Sequence, residues 1–455
     1  MSASTAKDFR VAIVGGGMCG LACAVGLAHR GIRADVFEAT VHLPTSSPKF
    51  DQVGAGVDLG PNALRALKGL GVLDAVLARS DEAQQTARRM LYMSGTGAHE
   101  QVYDYETSSV FTAADNGIGI YRQSFGPVFL AAVLPLLPDS SATHFNKRCT
   151  SISTTASGSH CIHFADGTTH EADLVIGADG IKSISRNALV DPAKRPLQFT
   201  NTVAYRGLLS TDTLRQESVT SAVDTRLCCF IGIDKHIIAF PIKSGKIVNI
   251  VAFVTDNSVS VGSGEVTGPW VKAVPQQELL DSFDGWGHDV QAMLKHMKSP
   301  SKWCIHALTP LDTFVRGKIA LVGDAAHAMA PHLGSGVGQG FEDVFVLCEL
   351  LGHSSTNLSN LEARKNEAIL RGQAVLKAYD AIRQPRANMV LKESFRAGMI
   401  YENFGKAGYA TGADIEGHLA GIWEPIWHHN LDEDVAAAIA SLQEQGSFPA
   451  VTTGF

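Results

Sequence analysis

The sequence predicts an α/β chain in three parts: a discontinuous domain on a parallel sheet, an antiparallel sheet inserted into it, and a helical C-terminal region. Three observations carry this. Short, almost wholly apolar runs ending in glycine recur at Phe9–Val14, Ala172–Gly177 and Lys318–Val322, as buried parallel strands do. Between the second and third lie the alternating runs Val203–Leu209, Arg226–Gly232, His236–Ile242 and Lys246–Val254, which read as antiparallel sheet. Beyond Leu351 the patterning is helical, over Asn360–Ala381, Pro385–Ala397 and Asp432–Gln445.

Taken in order, Phe9–Val14 is the first strand. Leu21, Ala24, Val25 and Ala28 then fall at helical spacing between Met18 and Arg30. Gly31 stands where a helix-ending glycine belongs, and Ile32–Glu38 is a second strand, completing a βαβ unit. From about Cys161 short strands turn at Asp166-Gly167 and lead into Ala172–Gly180. Lys318–Val322 ends at Gly323-Asp324, and a glycine-rich loop opens a helix over about Gly334–Leu351. Residues 256–270 form a Ser/Gly-rich loop.

Composition excludes several classes. The 455 residues are 45% apolar and 18% charged, so the chain is not disordered. A net charge of −7 without basic blocks argues against nucleic acid, whose binding needs phosphate neutralisation. Eight scattered cysteines with no CxxC pair argue against a disulfide scaffold and a zinc site, so no metal is expected. The first ten residues are polar, the apolar run Val128–Pro138 is too short to span a bilayer, and the last residues carry no targeting signal. A cytoplasmic protein with no membrane span is the expectation.

Gly15-Gly16-Gly17-Met18-Cys19-Gly20 is G-x-G-x-x-G between a strand and a helix. Gly15 permits the tight turn, Gly17 lets a pyrophosphate approach the backbone, and Gly20 allows close helix–strand packing. The helix start, with Met18, offers free N–H groups to phosphates. Glu38 stands about 20 residues on, where an acid accepts ribose hydroxyls and disfavours a 2′-phosphate. The fingerprint indicates a dinucleotide but does not separate FAD from NAD. Further on, Asp324 ends a strand before a glycine-rich turn and a helix start, suited to a polyol chain and to negative charge on a bound ring.

With these motifs in hand, the first 390 residues or so resemble the FAD-dependent aromatic hydroxylases (class A flavoprotein monooxygenases), most closely the salicylate-hydroxylase-like branch. The resemblance rests on Gly15–Gly20 with Glu38; Gly54-Ala55-Gly56-Val57 with Pro61-Asn62-Ala63; and Arg122 in Tyr121-Arg122-Gln123. It continues through Gly177-Ala178-Asp179-Gly180 with Ser183 and Arg186, Gly323–Pro331 with Glu342-Asp343, and Tyr379-Asp380 with Arg383-Gln384-Pro385-Arg386. It implies a Rossmann-like FAD-binding domain with an inserted substrate domain. Glu38 would hold the adenosine ribose, Arg122 would reach the flavin nucleotide portion, Asp324 would bind the ribityl chain, and Gly334, Gly336, Val337 and Gly338 would lie against the isoalloxazine. Asp179 is linked in such relatives to both FAD and NAD(P)H. FAD would be non-covalent, NADH or NADPH a transient co-substrate, and O2 the oxidant. A flavin C4a-hydroperoxide would hydroxylate an electron-rich ring, with water excluded.

On the substrate side, Tyr205-Arg206-Gly207 resembles the family's Tyr-Arg-Gly segment, whose arginine can hold a carboxylate or a phenolate. Alternation sends Tyr205 and Arg206 to opposite faces, so one of them lines the site and the other does not. His236 and Phe240 share a strand face, Phe240 standing where some relatives carry tyrosine. His332, just after Pro331, is placed to accept a phenol proton, whereas His327 reads as structural. Trp286, Trp303, Trp423 and Trp427 are expected at domain contacts. The division expected is 1–78, 105–192 and 301–350 for the FAD-binding domain, 79–104 and 193–300 for the substrate domain, and 351–455 for the helical region.

The activity so implied is hydroxylation of a phenol or hydroxybenzoate, with oxidative decarboxylation as a specific variant. Alternatives are hydroxylation or dearomatisation of a larger polyketide- or terpenoid-derived phenol, and a non-catalytic carrier or regulatory protein. A homodimer is compatible with the sequence.

Overall fold

The computed structural model describes residues 7–41, 57–79, 90–107, 118–120, 125–137, 143–243, 245–264, 266–361 and 375–449. In chain order the elements used below begin with β1 (Val11–Val14), α1 (Met18–His29), β2 (Ala34–Phe37) and β3 (Leu174–Gly177). The inserted sheet contributes β4 (Leu197–Ser210), β5 (Cys228–Gly232), β6 (Lys235–Ile242), β7 (Ile247–Thr255) and β8 (Ser301–Leu308). Then follow β9 (Ile319–Leu321), α2 (Gly336–Gly352) and α3 (Val375–Glu402).

The parallel sheet runs Val315–Arg316, β9, β3, β1, β2, Thr143–His144, with only the first pair antiparallel. β1 at its centre is flanked by β2, its neighbour in sequence, and by β3 from a distant part of the chain, and it is buried throughout. That burial on both faces is why its sequence is a continuous apolar run rather than an alternating one. Helix α1 packs on the sheet and α2 packs on α1, and Tyr379 of α3 is fully buried with its hydroxyl donating to the Leu321 carbonyl at 2.7 Å.

The second sheet has eight strands, in the order Val271–Ala273, β8, β4, β7, β6, β5, Leu91–Ser94, Gln101–Asp104. It is antiparallel except where β5 pairs Leu91–Ser94 in parallel. The sheet continues past residue 300, since β8 pairs along β4 from Leu197↔Leu308 to Arg206↔Ser301. Leu279, Phe283 and Met293 bury against its far face, each contributing about 1.5–3 kcal/mol of hydrophobic stabilisation. The near face is thereby left to look toward the glycine-rich loop before α2.

One expectation is corrected. Two helices separated at Pro385 were expected, but α3 runs unbroken from Val375 to Glu402 with Pro385 inside it. Proline removes a backbone donor and usually ends a helix. Here its neighbours are fastened: Arg383 and Arg386 are bound to buried acids, and Gln384 and Asn388 both donate to the Leu311 carbonyl. Tertiary anchoring overrides the local preference. Residues 362–374, the middle of the expected Asn360–Ala381 helix, lie outside the described residues.

Candidate active site

The fingerprint turn joins β1 to α1. Gly15 has φ +106°, and a Cβ there would sit 2.4 Å from the Ala178 carbonyl oxygen, so the end of β3 is pressed against the turn. A Cβ on Gly20 would lie 1.9 Å from the Gly15 oxygen. Above Gly17, by contrast, a Cβ would meet nothing within 4 Å, leaving an open cradle at the start of α1 beside Met18. Glu38 closes one side of this turn, accepting from the Gly16 and Thr40 amides at 2.7 and 2.8 Å. A bare, positive helix start next to an acid fits the pyrophosphate and ribose of a dinucleotide. Asp179 is committed elsewhere: it accepts from Ser183 Oγ and from the Ile184 and Ser185 amides, fixing the turn after β3.

The second half of the site is a cavity of about 420 Å³ between the near face of the antiparallel sheet and the loop before α2. Asp324, Pro331, His332, Gly334, Gly336, Val337 and Gly338 line it from the loop side. No side chain caps the start of α2, so its first N–H groups and positive dipole end face the cavity. A donor set of carboxylate plus free amides fits a ribityl chain and a flavin ring. Gly54, Ala55, Gly56 and Arg122 lie outside the described residues.

A buried ion network holds this loop. Asp343 accepts from the Gly323 amide at 2.8 Å, from His327 Nε2 at 2.5 Å and from Arg383 Nε at 2.8 Å. Glu342 accepts from Arg383, Arg386 and Asn62 at 2.6, 2.7 and 2.7 Å. Burial alone would raise the Glu342 carboxyl, but Arg383 and Arg386 hold it at about 2. His327 thus has a structural role, as its sequence context indicates. Arg186 reaches the Ala325 and Ile181 carbonyls, tying the Asp179-Gly180 loop to the Asp324 loop.

On the sheet side, alternation selects one residue of the Tyr205-Arg206 pair. Arg206 lines the cavity, whereas Tyr205 is not brought to it: its ring lies on the opposite face and its hydroxyl donates to Glu278 at 2.9 Å. Arg206 meets no carboxylate among the described residues. Its guanidinium lies 5.0 Å from the Trp303 ring centroid, and burial lowers it to about 10. His236 and Phe240 line the cavity from β6, and Phe253 and Asn249 from β7. The Asn249 Nδ2 is buried without a partner among the described residues.

His236 is fully buried, stacked on Phe253 at 4.5 Å, with Nδ1 2.9 Å from Glu402 Oε1. Its Nε2 and the Nδ1 of His332 are buried without partners among the described residues, and the two rings lie 5.1 Å apart. The surface His332 retains faces the cavity, and its pKa is pushed down to about 3, by burial first and His236 second. Trp423 and Trp427, stacked 5.5 Å apart, line the cavity from the C-terminal region, with Trp303 on the opposite side. All three were expected at domain contacts; alternation on β8 marks Trp303, but no sequence signal marks Glu402 or Asn249.

Residues 8–394 match the family model described as "FAD binding domain". The chain is 35% identical over 444 residues to a salicylate hydroxylase of Pseudomonas putida, covering 95% of each. The chain belongs to the FAD-dependent aromatic hydroxylases, in their salicylate-hydroxylase-like branch. It is also 32% identical over 395 residues to a 6-methylsalicylate 1-monooxygenase of Aspergillus terreus, covering 82% of each. Among solved structures, a salicylate hydroxylase substrate complex superposes with a TM-score of 0.79 at 31% identity, covering 98% of this chain and 99% of that one. The protein is therefore an FAD-dependent monooxygenase of the aromatic hydroxylase type, and its two sheets and helical C-terminal region match that fold. Among the described residues no helix is long and apolar enough to cross a membrane.

Proposed function

We propose that the protein hydroxylates a 2-hydroxybenzoate of the salicylate class in the cytoplasm, with NADH or NADPH as electron donor and O2 as oxidant. The observation that carries this reading is Arg206, a cation inside a largely apolar cavity with no carboxylate partner among the described residues. A half-buried charge left in that state favours an anionic ligand, and guanidinium matches a carboxylate bidentately.

In this reading Gly15, Gly17, Met18, Gly20 and Glu38 receive the adenosine diphosphate portion, and Asp324 the ribityl chain. The amides of Gly334, Gly336, Val337 and Gly338 meet the ring, and Asp179 sets the turn against which the fingerprint packs. Bound FAD supplies the electron transfer and oxygen activation that no side chain here can provide. Arg206 orients the substrate carboxylate, while Phe240, Phe253 and Trp303 shield the ring from water. His236 takes up the phenolic proton, increasing electron density on the ring carbon that is attacked, and His332 stands beside it as a neutral imidazole. Attack at the carbon bearing the carboxylate would release carbon dioxide.

Oxidation of NADH and NADPH by the FAD-loaded protein, with and without salicylate, tests this together with product and carbon dioxide analysis. Stimulation with a hydroxylated, decarboxylated product is expected. Stimulation by carboxyl-free phenols alone would overturn the assignment of Arg206. A second reading, a ring carrying an alkyl or aryl substituent, is favoured by the apolar side chains Met90, Leu227, Trp423 and Trp427 in the cavity lining. Substituted salicylates in the same assay distinguish the two.

A further inference from the structure

His236 lines the cavity, but its position is set by a residue from the end of α3, far away in sequence. Its ring is clamped on three sides. Phe253 stacks on one face at 4.5 Å and 11°, and His332 and Tyr401 approach edge-on at 5.1 and 5.3 Å. The ring cannot turn over without opening this packing. Glu402 is acceptor-only as a carboxylate, so the nitrogen it meets, Nδ1, carries the hydrogen. Nε2 then presents its lone pair, and it is the atom left buried without a partner.

We propose that Glu402 is a positioning residue that holds His236 with Nε2 free to accept the substrate's phenolic proton. The inference rests on the 2-hydroxybenzoate reading above. In the step, the phenol O–H bond breaks and an Nε2–H bond forms. The hydrogen on Nδ1 stays in place, and the imidazolium charge is balanced by the Glu402 carboxylate 2.9 Å away. On product release the proton returns to water or to the departing phenol.

The groups around Glu402 support the role. Burial works against its charge, but the His236 hydrogen bond and charge, then His332 and the Thr255 hydroxyl, hold its carboxyl below the usual range. Cys229 faces it as a thiol kept neutral by burial, and Tyr401 and Tyr92 are likewise neutral phenols. The nearest solvated charges are Asp234 and Lys406, paired at 2.8 Å, and the Asp234 amide donates to the Glu402 carbonyl. The only basic group in hydrogen-bond contact with the Glu402 carboxylate among the described residues is therefore His236.

The test uses FAD-loaded protein and 5-nitrosalicylate, whose phenolate is yellow, so ionisation of the bound probe is read directly by absorbance against pH. In wild type the bound probe should ionise at least about one pH unit below the free compound. Glu402→Gln keeps an acceptor for Nδ1 but removes the charge, and should lose most of that shift. Its kcat/KM for salicylate should fall about tenfold, with the acid limb of the pH profile moved and KM nearly unchanged. Glu402→Asp should restore part of both, and His236→Gln should abolish the shift. An unaltered ionisation and pH profile in Glu402→Gln, with wild-type thermal stability, would overturn the proposal alone. Failure of wild type to bind the probe would overturn the 2-hydroxybenzoate reading, and this inference with it.

Discussion

Replacing Arg206 by methionine should weaken substrate binding without weakening the fold. Burial lowers the pKa of this guanidinium to about 10. At about 1.4 kcal/mol per pKa unit, the charge costs the ligand-free protein at most about 3 kcal/mol. Solvent entering the open cavity reduces that to about 1–2 kcal/mol. Because the folded-state pKa lies below the unfolded one, this cost is fully present at neutral pH and fades as pH rises through about 10. A carboxylate about 4 Å away returns roughly 4 kcal/mol at an effective dielectric constant near 20, before the ligand's own desolvation. A net 2–3 kcal/mol remains, or about 30- to 150-fold in affinity. Arg206→Met should therefore raise KM for salicylate by about that factor, while KM for a phenol without a carboxylate changes less than about threefold. Thermal unfolding of the ligand-free variant should occur at the wild-type temperature or slightly above it. Equal losses for both ligands, or a marked fall in Tm, would show that Arg206 serves the fold and not the carboxylate.

Four further outcomes are expected. Gly17→Ala should fold normally, since its Cβ meets nothing within 4 Å, but bind FAD at least about tenfold more weakly by fluorescence titration. Gly20→Ala, whose Cβ would meet the Gly15 oxygen at 1.9 Å, should fail to retain FAD and lose thermal stability together. Glu342→Gln removes a buried charge from Arg383 and Arg386, and should cost about 3–5 kcal/mol in urea unfolding along with the yellow colour of the purified protein. His332, with its folded pKa depressed to about 3, contributes stability that is complete above about 6.5 and lost as pH falls toward 3. Between pH 7 and 5.5 wild type should lose about 1 kcal/mol more than His332→Asn, measured by chemical denaturation.

What the sequence made legible was local. The fingerprint Gly15–Gly20 is one turn between adjacent elements, so its spacing alone reports its geometry. Strand alternation required that only one of Tyr205 and Arg206 face the ligand, but it did not say which. That depended on which face of β4 the helices carrying Leu279 and Met293 would cover. Pro385 was misread because a local rule was applied where buried Arg383 and Arg386 dominate. Glu402 and Asn249 were invisible for a related reason. Glu402 stands 166 residues from His236, and nothing in the neighbourhood of either announces the other. The substrate end of the site is built by long-range pairing, and its residues acquire meaning only when the sheets and helices are assembled.

Trp423 and Trp427 complete the wall of a cavity whose glycine-rich loop lies about a hundred residues earlier in the chain. On the ribosome, a nascent chain presents the fingerprint of α1 first and the Asp324 loop much later. Arg383, Glu402 and the two tryptophans emerge after both. A chain that captured flavin before that moment would carry a redox centre with no roof over it, free to spend reducing equivalents on oxygen. The salt bridges that hold the glycine-rich loop therefore form only when α3 is present, and α3 also brings the carboxylate beside His236. The loop before α2 and the His236 side of the cavity are thus fixed by one and the same helix.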